Sequence, residues 1–178
     1  MKVVLKRENL GARREAKPTQ RAENRDSAPE GAGWGAQWVA SNEGGATLRL
    51  SGSPEIGYSE EGLRPMQALL ASLAGCSAID VLHILQKQKH EVRELDVEVD
   101  GERADAVPAV FTKIHLHYVA AGDFPLHKLE RAVALSSEKY CSVSHMLRGS
   151  VAITTSCAKV GDEGGRSPVE NGDGAAQG

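Results

Sequence analysis

Cysteine is the residue type in this sequence with the clearest capacity for chemistry, and Cys141 has an informative context. It lies in EKYCSVSHML directly before Ser142, and serine is a favoured residue at the N-cap of a helix. Unpaired N–H groups at a helix N-terminus stabilise a thiolate. The placement therefore makes Cys141 a candidate reactive thiol, with a buried structural cysteine as the alternative.

Cys76 lies in the apolar stretch SLAGCSAID, where burial raises the pKa of a thiol and leaves it inert. Gly75 is a poor helix former, which indicates that another element approaches the backbone beside this cysteine. Asp80 follows one helical turn later on the same face, whereas His83 is too far along the helix axis to act as a direct base. Local sequence favours a structural role for Cys76 unless the fold brings it to Cys141.

The motif His115-x-His117 is a candidate for metal binding, because alternate residues share one face of a strand. Lys113 lies on the same face, and no CxxC or HExxH motif accompanies the histidines. A solvated strand face is the favoured interpretation, and no metal site is predicted. Cys157, in the last predicted strand, is expected to be a packing residue. The absence of a GxSxG motif leaves a serine hydrolase without support.

The elements that position these residues are strands and helices in mixed order. A central helix is predicted from Pro65 to about Lys89; it is apolar nearly all round and is expected to be buried. Further helices are predicted in PLHKLERAVALSSEKY and SVSHML. Strands are predicted in MKVVLKR, AQWVASNEGGATLRLSG (two strands around a turn), LDVEVDG, AVFTKIHLHYVAAG and SVAITTSCAK. This order predicts an α+β fold, and not a dinucleotide-binding fold.

Length and composition predict one folded domain in a chain of 178 residues, 40% hydrophobic and 25% charged. A net charge of −3 and 4% aromatic residues give no reason to expect nucleic acid or a membrane surface as a partner. The apolar run around Cys76 contains Asp80 and His83 and is not expected to span a membrane. With no signal peptide and no disulfide framework, a cytoplasmic location is expected. The predicted organisation is a short strand plus a flexible insertion (1–33), a folded domain (34–159) and a disordered tail (160–178).

The folded domain resembles the OsmC/Ohr family of osmotically inducible and organic-hydroperoxide-resistance proteins, and in particular its OsmC-like branch. The resemblance is carried by SPEIGYSEEGLRPMQALLASLAGCSAIDVLHILQKQK, VDGERADAVPAVFTKIHLHYV and KLERAVALSSEKYCSVSHML. It implies an α+β, OsmC-like fold with strands around a long buried central helix. It also implies an intertwined homodimer with two active sites at the interface.

The resemblance further implies a thiol-dependent peroxidase that reduces organic hydroperoxides and serves the oxidative stress response. Cys76 would be the peroxidatic cysteine, oxidised to a sulfenic acid, and Cys141 the resolving cysteine that condenses with it to a disulfide. An external dithiol, a dihydrolipoyl group on a carrier protein in better-known members, would reduce that disulfide. No bound cofactor is implied.

Two activating residues of the well-studied family members have no counterpart in this sequence. The position of an activating glutamate falls on Met66, and that of an activating arginine falls in GAGWGAQW, which holds none. Gln67 and Glu61 are the candidates for a supporting role. The alternative function is therefore a redox-sensing or hydrophobic-ligand-binding protein of the same fold without efficient peroxidase activity.

Overall fold

The structure, a computed structural model, describes residues 2–9, 36–54, 58, 61–160 and 168–169. The chain divides into two compact units, Met1–Ala68 and Leu69–Gly178. Most of the predicted insertion and of the predicted tail lies outside the described residues. Within that tail, Pro168–Val169 form a short strand.

The first unit contains an antiparallel sheet of three strands, β1 (Val3–Asn9), β2 (Ala36–Asn42) and β3 (Thr47–Leu50), in that order. The predicted turn between β2 and β3 is confirmed. The Ala46 N–H donates to Asn42 Oδ1 at 3.0 Å, and Gly45 has a φ of 81°, a conformation that favours glycine. An open pocket of about 330 Å³ in this unit is lined mainly by apolar side chains, those of Leu5, Trp38, Leu50, Tyr58 and Pro65 among them.

The second unit contains a sheet in the order β4 (Glu91–Arg103), β5 (Phe111–Asp123), β6 (Ala152–Lys159) and β7 (Pro168–Val169). β4 and β5 are antiparallel, whereas β5 and β6 are parallel. A parallel pair needs a long crossover, which here consists of α2 (Leu126–Leu135), a π-helical turn (Ser136–Tyr140) and α3 (Ser142–Leu147). The α+β class predicted from the sequence is confirmed.

The core of the second unit forms where the sheet meets the helices. Ile114, Leu116 and Tyr118 alternate along β5, and each is at most 2% exposed. The buried residues of α2 are Leu129, Ala132 and Val133. This core places the π-helical turn and the start of α3 beside β5 and the helix that precedes the sheet.

That helix, α1, spans Pro65–Lys87. At its start the Arg64 N–H donates to Gln67 Oε1 at 2.9 Å, so the Gln67 side chain satisfies a backbone donor that the helix leaves free. Pro65 occupies the first helical position, as predicted from its fixed φ.

The burial expected of this apolar helix is not confirmed, because within the single chain α1 is buried on one face only. Its buried residues, Leu73, Ser77, Val81 and Leu85, recur every fourth position and form one stripe. Ile79, on another face, is 70% exposed. Apolar side chains of α1 thus lie on exposed faces as well as on the face that the rest of the single chain buries.

α1 is also long and apolar enough to cross a membrane by length and composition, because an 18-residue stretch within it has a mean hydropathy of 1.8. The expectation that Asp80 and His83 leave the apolar run too short was wrong by this criterion, because the 18-residue stretch stays apolar enough despite them. That α1 does not span a membrane stays a prediction. The core helix of a soluble protein has the same properties, so this observation is weak evidence for a membrane.

Candidate active site

Two cysteines and one carboxylate converge in the second unit. The Cys76 Sγ, the Cys141 Sγ and a carboxylate oxygen of Asp80 all lie within 4.8 Å of one another. Cys76 and Asp80 stand four residues apart on α1 and therefore share a face beside its buried stripe. Cys141 comes from the junction of the π-helical turn and α3. Both thiols are free; Cys141 is fully buried, whereas Cys76 and Asp80 are partly exposed.

Cys141, and not Ser142, is the N-cap of α3, which corrects the expected helix start by one residue. The Ser144 N–H donates to the Cys141 Sγ at 3.5 Å. Burial raises the pKa of the Cys141 thiol, and the nearby Cys76 raises it further; the N–H groups of Ser144 and Val143 lower it, but by less. The N–H groups at the helix terminus thus lower the pKa of Cys141, as expected, but desolvation and the nearby Cys76 outweigh them and the net change in pKa is upward.

A buried chain of hydroxyls leads to Asp80. Ser77 Oγ lies 2.5 Å from Tyr118 Oη and 3.0 Å from Ser136 Oγ, and Ser136 Oγ donates to Asp80 Oδ2 at 3.2 Å. Ser136 donates to Asp80 and each hydroxyl has one proton, so the donors run Tyr118 to Ser77 to Ser136 to Asp80. Burial raises the pKa of Tyr118 to about 12, which keeps it protonated as the first donor. The chain ties β5, α1 and the π-helical turn together behind the two thiols.

Sequence reasoning identified Cys76, Cys141 and the face that Asp80 shares with Cys76, but it missed the hydroxyl chain. The available signal was a serine or tyrosine inside an otherwise apolar stretch, as at Ser77 and Tyr118. The local sequence around Ser136 did not point to the site, because its contacts with Ser77 and Asp80 depend on the path of the crossover.

The remaining predicted residues are Gln67, Glu61 and Cys157. Gln67 and Glu61 belong to the first unit, and Gln67 bonds to the start of α1; their supporting role stays a prediction. Cys157 is 3% exposed, and burial, aided by the charge of Glu130, raises its pKa to about 12. A thiol so strongly held in its protonated form fits the packing role expected for Cys157.

The two histidines of β5 contact hydroxyls of β6. His115 Nδ1 lies 2.8 Å from Thr154 Oγ1, and its Nε2 lies 2.8 Å from Ser156 Oγ. His117 Nδ1 lies 2.7 Å from the same Ser156 Oγ. The face that these histidines share is thus a polar hydrogen-bonded surface between neighbouring strands.

The fold and the paired thiols define an α+β protein with a dithiol site. The family model described as OsmC-like protein matches residues 58–156, and the chain belongs to this family. Protein YhfA of Escherichia coli (strain K12) is 46% identical over 93 residues, which make up 52% of this chain and 69% of YhfA.

Solved structures show the same fold. A hypothetical protein from Aquifex aeolicus VF5 superposes with a TM-score of 0.60 at 34% identity, over 69% of this chain and 86% of that one. A protein from Legionella pneumophila described as an organic hydroperoxide resistance protein OsmC superposes with a TM-score of 0.58. At 19% identity over 89% of this chain and 97% of that one, this second likeness concerns the fold alone.

Proposed function

We propose that this protein is a thiol-dependent peroxidase that reduces organic hydroperoxides through Cys76 and Cys141. The observation that carries the proposal is the approach of two free sulfurs, from separate elements, to within 4.8 Å. Membership of a family in which one structural relative is described as an organic hydroperoxide resistance protein supports the same function. Cytoplasmic location and the absence of a bound cofactor belong to this proposal.

The cycle begins when the Cys76 sulfur attacks the peroxide. A bond forms between sulfur and the terminal oxygen, the O–O bond breaks, and the thiol proton leaves with the alkoxide as an alcohol. The sulfur is oxidised to a sulfenic acid, and the peroxide is reduced. Cys76 is suited to this first step because it is partly exposed, whereas Cys141 is fully buried.

Cys141 then resolves the sulfenic acid. Its sulfur forms the S–S bond, the S–O bond of Cys76 breaks, and the departing hydroxide takes the Cys141 proton to form water. Burial raises the pKa of Cys141, which keeps the thiol of the reduced chain protonated and weakly nucleophilic. An external dithiol, for which we propose a dihydrolipoyl group on a carrier protein, reduces the disulfide by thiol exchange.

Peroxide consumption by the purified full chain tests this function. Cumene hydroperoxide and hydrogen peroxide are supplied separately, with dihydrolipoamide as reductant and a metal chelator present. We expect faster turnover of the organic peroxide, loss of turnover in Cys76→Ser, and a single oxidation without recycling in Cys141→Ser. Cys157→Ala is the matched control and should retain activity within about twofold, because the loss of a buried packing side chain acts mainly on stability. Turnover by Cys76→Ser at the wild-type rate would contradict the proposal.

We further propose that the chain forms a homodimer that covers the apolar faces of α1. The support is the contrast between an 18-residue stretch of α1 with a mean hydropathy of 1.8 and the 70% exposure of Ile79 in the single chain. Ile79→Arg should shift the protein toward monomer in sedimentation equilibrium, whereas Gln88→Arg, at an exposed position after α1, should not. A wild-type chain that sediments as a monomer at every concentration would rule the dimer out.

The pocket of the first unit favours a second candidate function, the binding of a hydrophobic ligand. Its lining by Leu5, Trp38 and Leu50 suits an acyl chain. Titration with dodecanoate should change the fluorescence of Trp38, measured in a Trp34→Phe variant so that a single tryptophan reports. Fluorescence that stays constant at saturating ligand would exclude this function.

A further inference from the structure

We propose that the reduced dithiol and Asp80 together form a binding site for a thiophilic divalent cation such as Zn²⁺. In the part of the chain that the structure describes, Cys76, Asp80 and Cys141 are the one group of three candidate ligands whose donor atoms lie this close together. Thiolate sulfur and carboxylate oxygen are ordinary ligands of Zn²⁺, and two sulfurs select soft or borderline ions over Mg²⁺ or Ca²⁺.

The distances in the cluster are compatible with coordination after a small adjustment. Zinc binds sulfur at about 2.3 Å and carboxylate oxygen at about 2.0–2.2 Å, which places tetrahedral ligand atoms about 3.5–3.8 Å apart. The three donor atoms already lie within 4.8 Å of one another. Cys76 and Asp80 are partly exposed on α1, so their side chains have room to move inward toward the fixed Cys141 sulfur.

The surroundings of Asp80 provide the outer support that metal ligands require. Ser136 donates to Asp80 Oδ2 and is itself held by Ser77, which in turn bonds to Tyr118. Such outer hydrogen bonds orient a ligand carboxylate and raise the affinity of the site. Three protein ligands leave a fourth position for water, so we expect an exchangeable ion and not a closed structural site.

Charge and protons are conserved when the ion binds. Two S–H bonds break, two sulfur–metal bonds form, and two protons pass to solvent, so two thiolates and one carboxylate surround a dication. The metal and the disulfide use the same two sulfurs, and each state excludes the other. The site involves the reduced thiols alone and does not depend on whether they reduce peroxides.

Titration of the reduced full chain with Co²⁺, followed by competition with Zn²⁺ under anaerobic conditions, tests the site. We expect one ion per chain with a sulfur-to-cobalt charge-transfer band, and loss of that band in Cys76→Ser and in Cys141→Ser. Asp80→Asn keeps an acceptor for Ser136 but removes the ligand charge, so the Zn²⁺ affinity should fall at least about tenfold. Cys157→Ala and His117→Asn are the controls and should bind like the wild type.

Several results would contradict the proposed metal site. Absence of the charge-transfer band, equal affinity in Asp80→Asn and the wild type, or loss of binding in His117→Asn would each do so. A test that needs no variant compares iodoacetamide labelling of the wild-type thiols with and without Zn²⁺, measured by mass spectrometry. Zn²⁺ should protect Cys76 and Cys141, and equal labelling with and without Zn²⁺ would refute the proposal. Peroxide turnover is measured with chelator present, so failure of that assay leaves this result standing.

Discussion

Removing the Ser77 hydroxyl should cost more stability than a single serine usually contributes. Ser77→Ala leaves the hydroxyl of Tyr118 without its acceptor and that of Ser136 without its donor, and Tyr118 is 1% exposed while Ser136 is fully buried. A buried polar group without a partner costs about 1–3 kcal/mol. We therefore expect Ser77→Ala to lower the free energy of unfolding by about 2–4 kcal/mol.

A double-mutant cycle separates the hydrogen bond from the packing. Tyr118→Phe removes the donor and leaves Ser77 bonded to Ser136, so it should cost about 1–1.5 kcal/mol. In the double variant no tyrosine hydroxyl is left unpaired, and the loss should fall short of the sum of the two single losses by about 1–2 kcal/mol. Tyr140→Phe, at a side chain that is 50% exposed, is the control and should change stability by less than about 0.5 kcal/mol.

Urea unfolding at one fixed protein concentration measures these free energies. Additivity of the two single losses within about 0.3 kcal/mol would show that Ser77 and Tyr118 are not energetically coupled. That result would refute the assignment of a continuous donor chain from Tyr118 to Asp80. If the disulfide still formed rapidly in Ser77→Ala, this would show separately that the chain of hydroxyls does not position the two thiols.

Three further outcomes are expected. Because burial raises the pKa of Cys141, its thiolate fraction grows about tenfold per pH unit above neutrality. The rate of disulfide formation after oxidation of Cys76 should therefore rise with pH. Rapid-quench mass spectrometry measures this rate, and a pH-independent rate would contradict the expectation. The Cys157 thiol, whose pKa rises from 9.0 to about 12 on folding, is largely protonated in both folded and unfolded chains below about pH 8. Above that pH the unfolded thiol ionises first, so up to about 4 kcal/mol of stability should be lost by pH 12, and urea unfolding of Cys157→Ala should show a shallower decline. Leu73→Ala, at a fully buried position of α1, should cost about 2–5 kcal/mol in the same assay, and a loss below about 1 kcal/mol would contradict the burial of this face.

The sequence by itself determined the local elements and the residues with chemical capacity. Alternation in β5 and the spacing of Met66, Leu69 and Leu73 in α1 reflect periods of two and 3.6 residues, which depend on backbone geometry within each element. The relation of Cys76 to Asp80 is also local, because residues four apart share a helix face. The motifs around Cys76 and Cys141 likewise carried the family resemblance, which the family model confirmed.

Only the tertiary structure decided how these elements act together. The approach of the two sulfurs depends on a crossover that returns Cys141 to α1, and no short-range pattern encodes that distance. The sign of the Cys141 pKa change depends on desolvation, which is a property of everything packed around the thiol and not of its position at a helix terminus. The apolar residues of α1 were likewise evident from the sequence. Only the packing of the chain determined which face of the helix is buried.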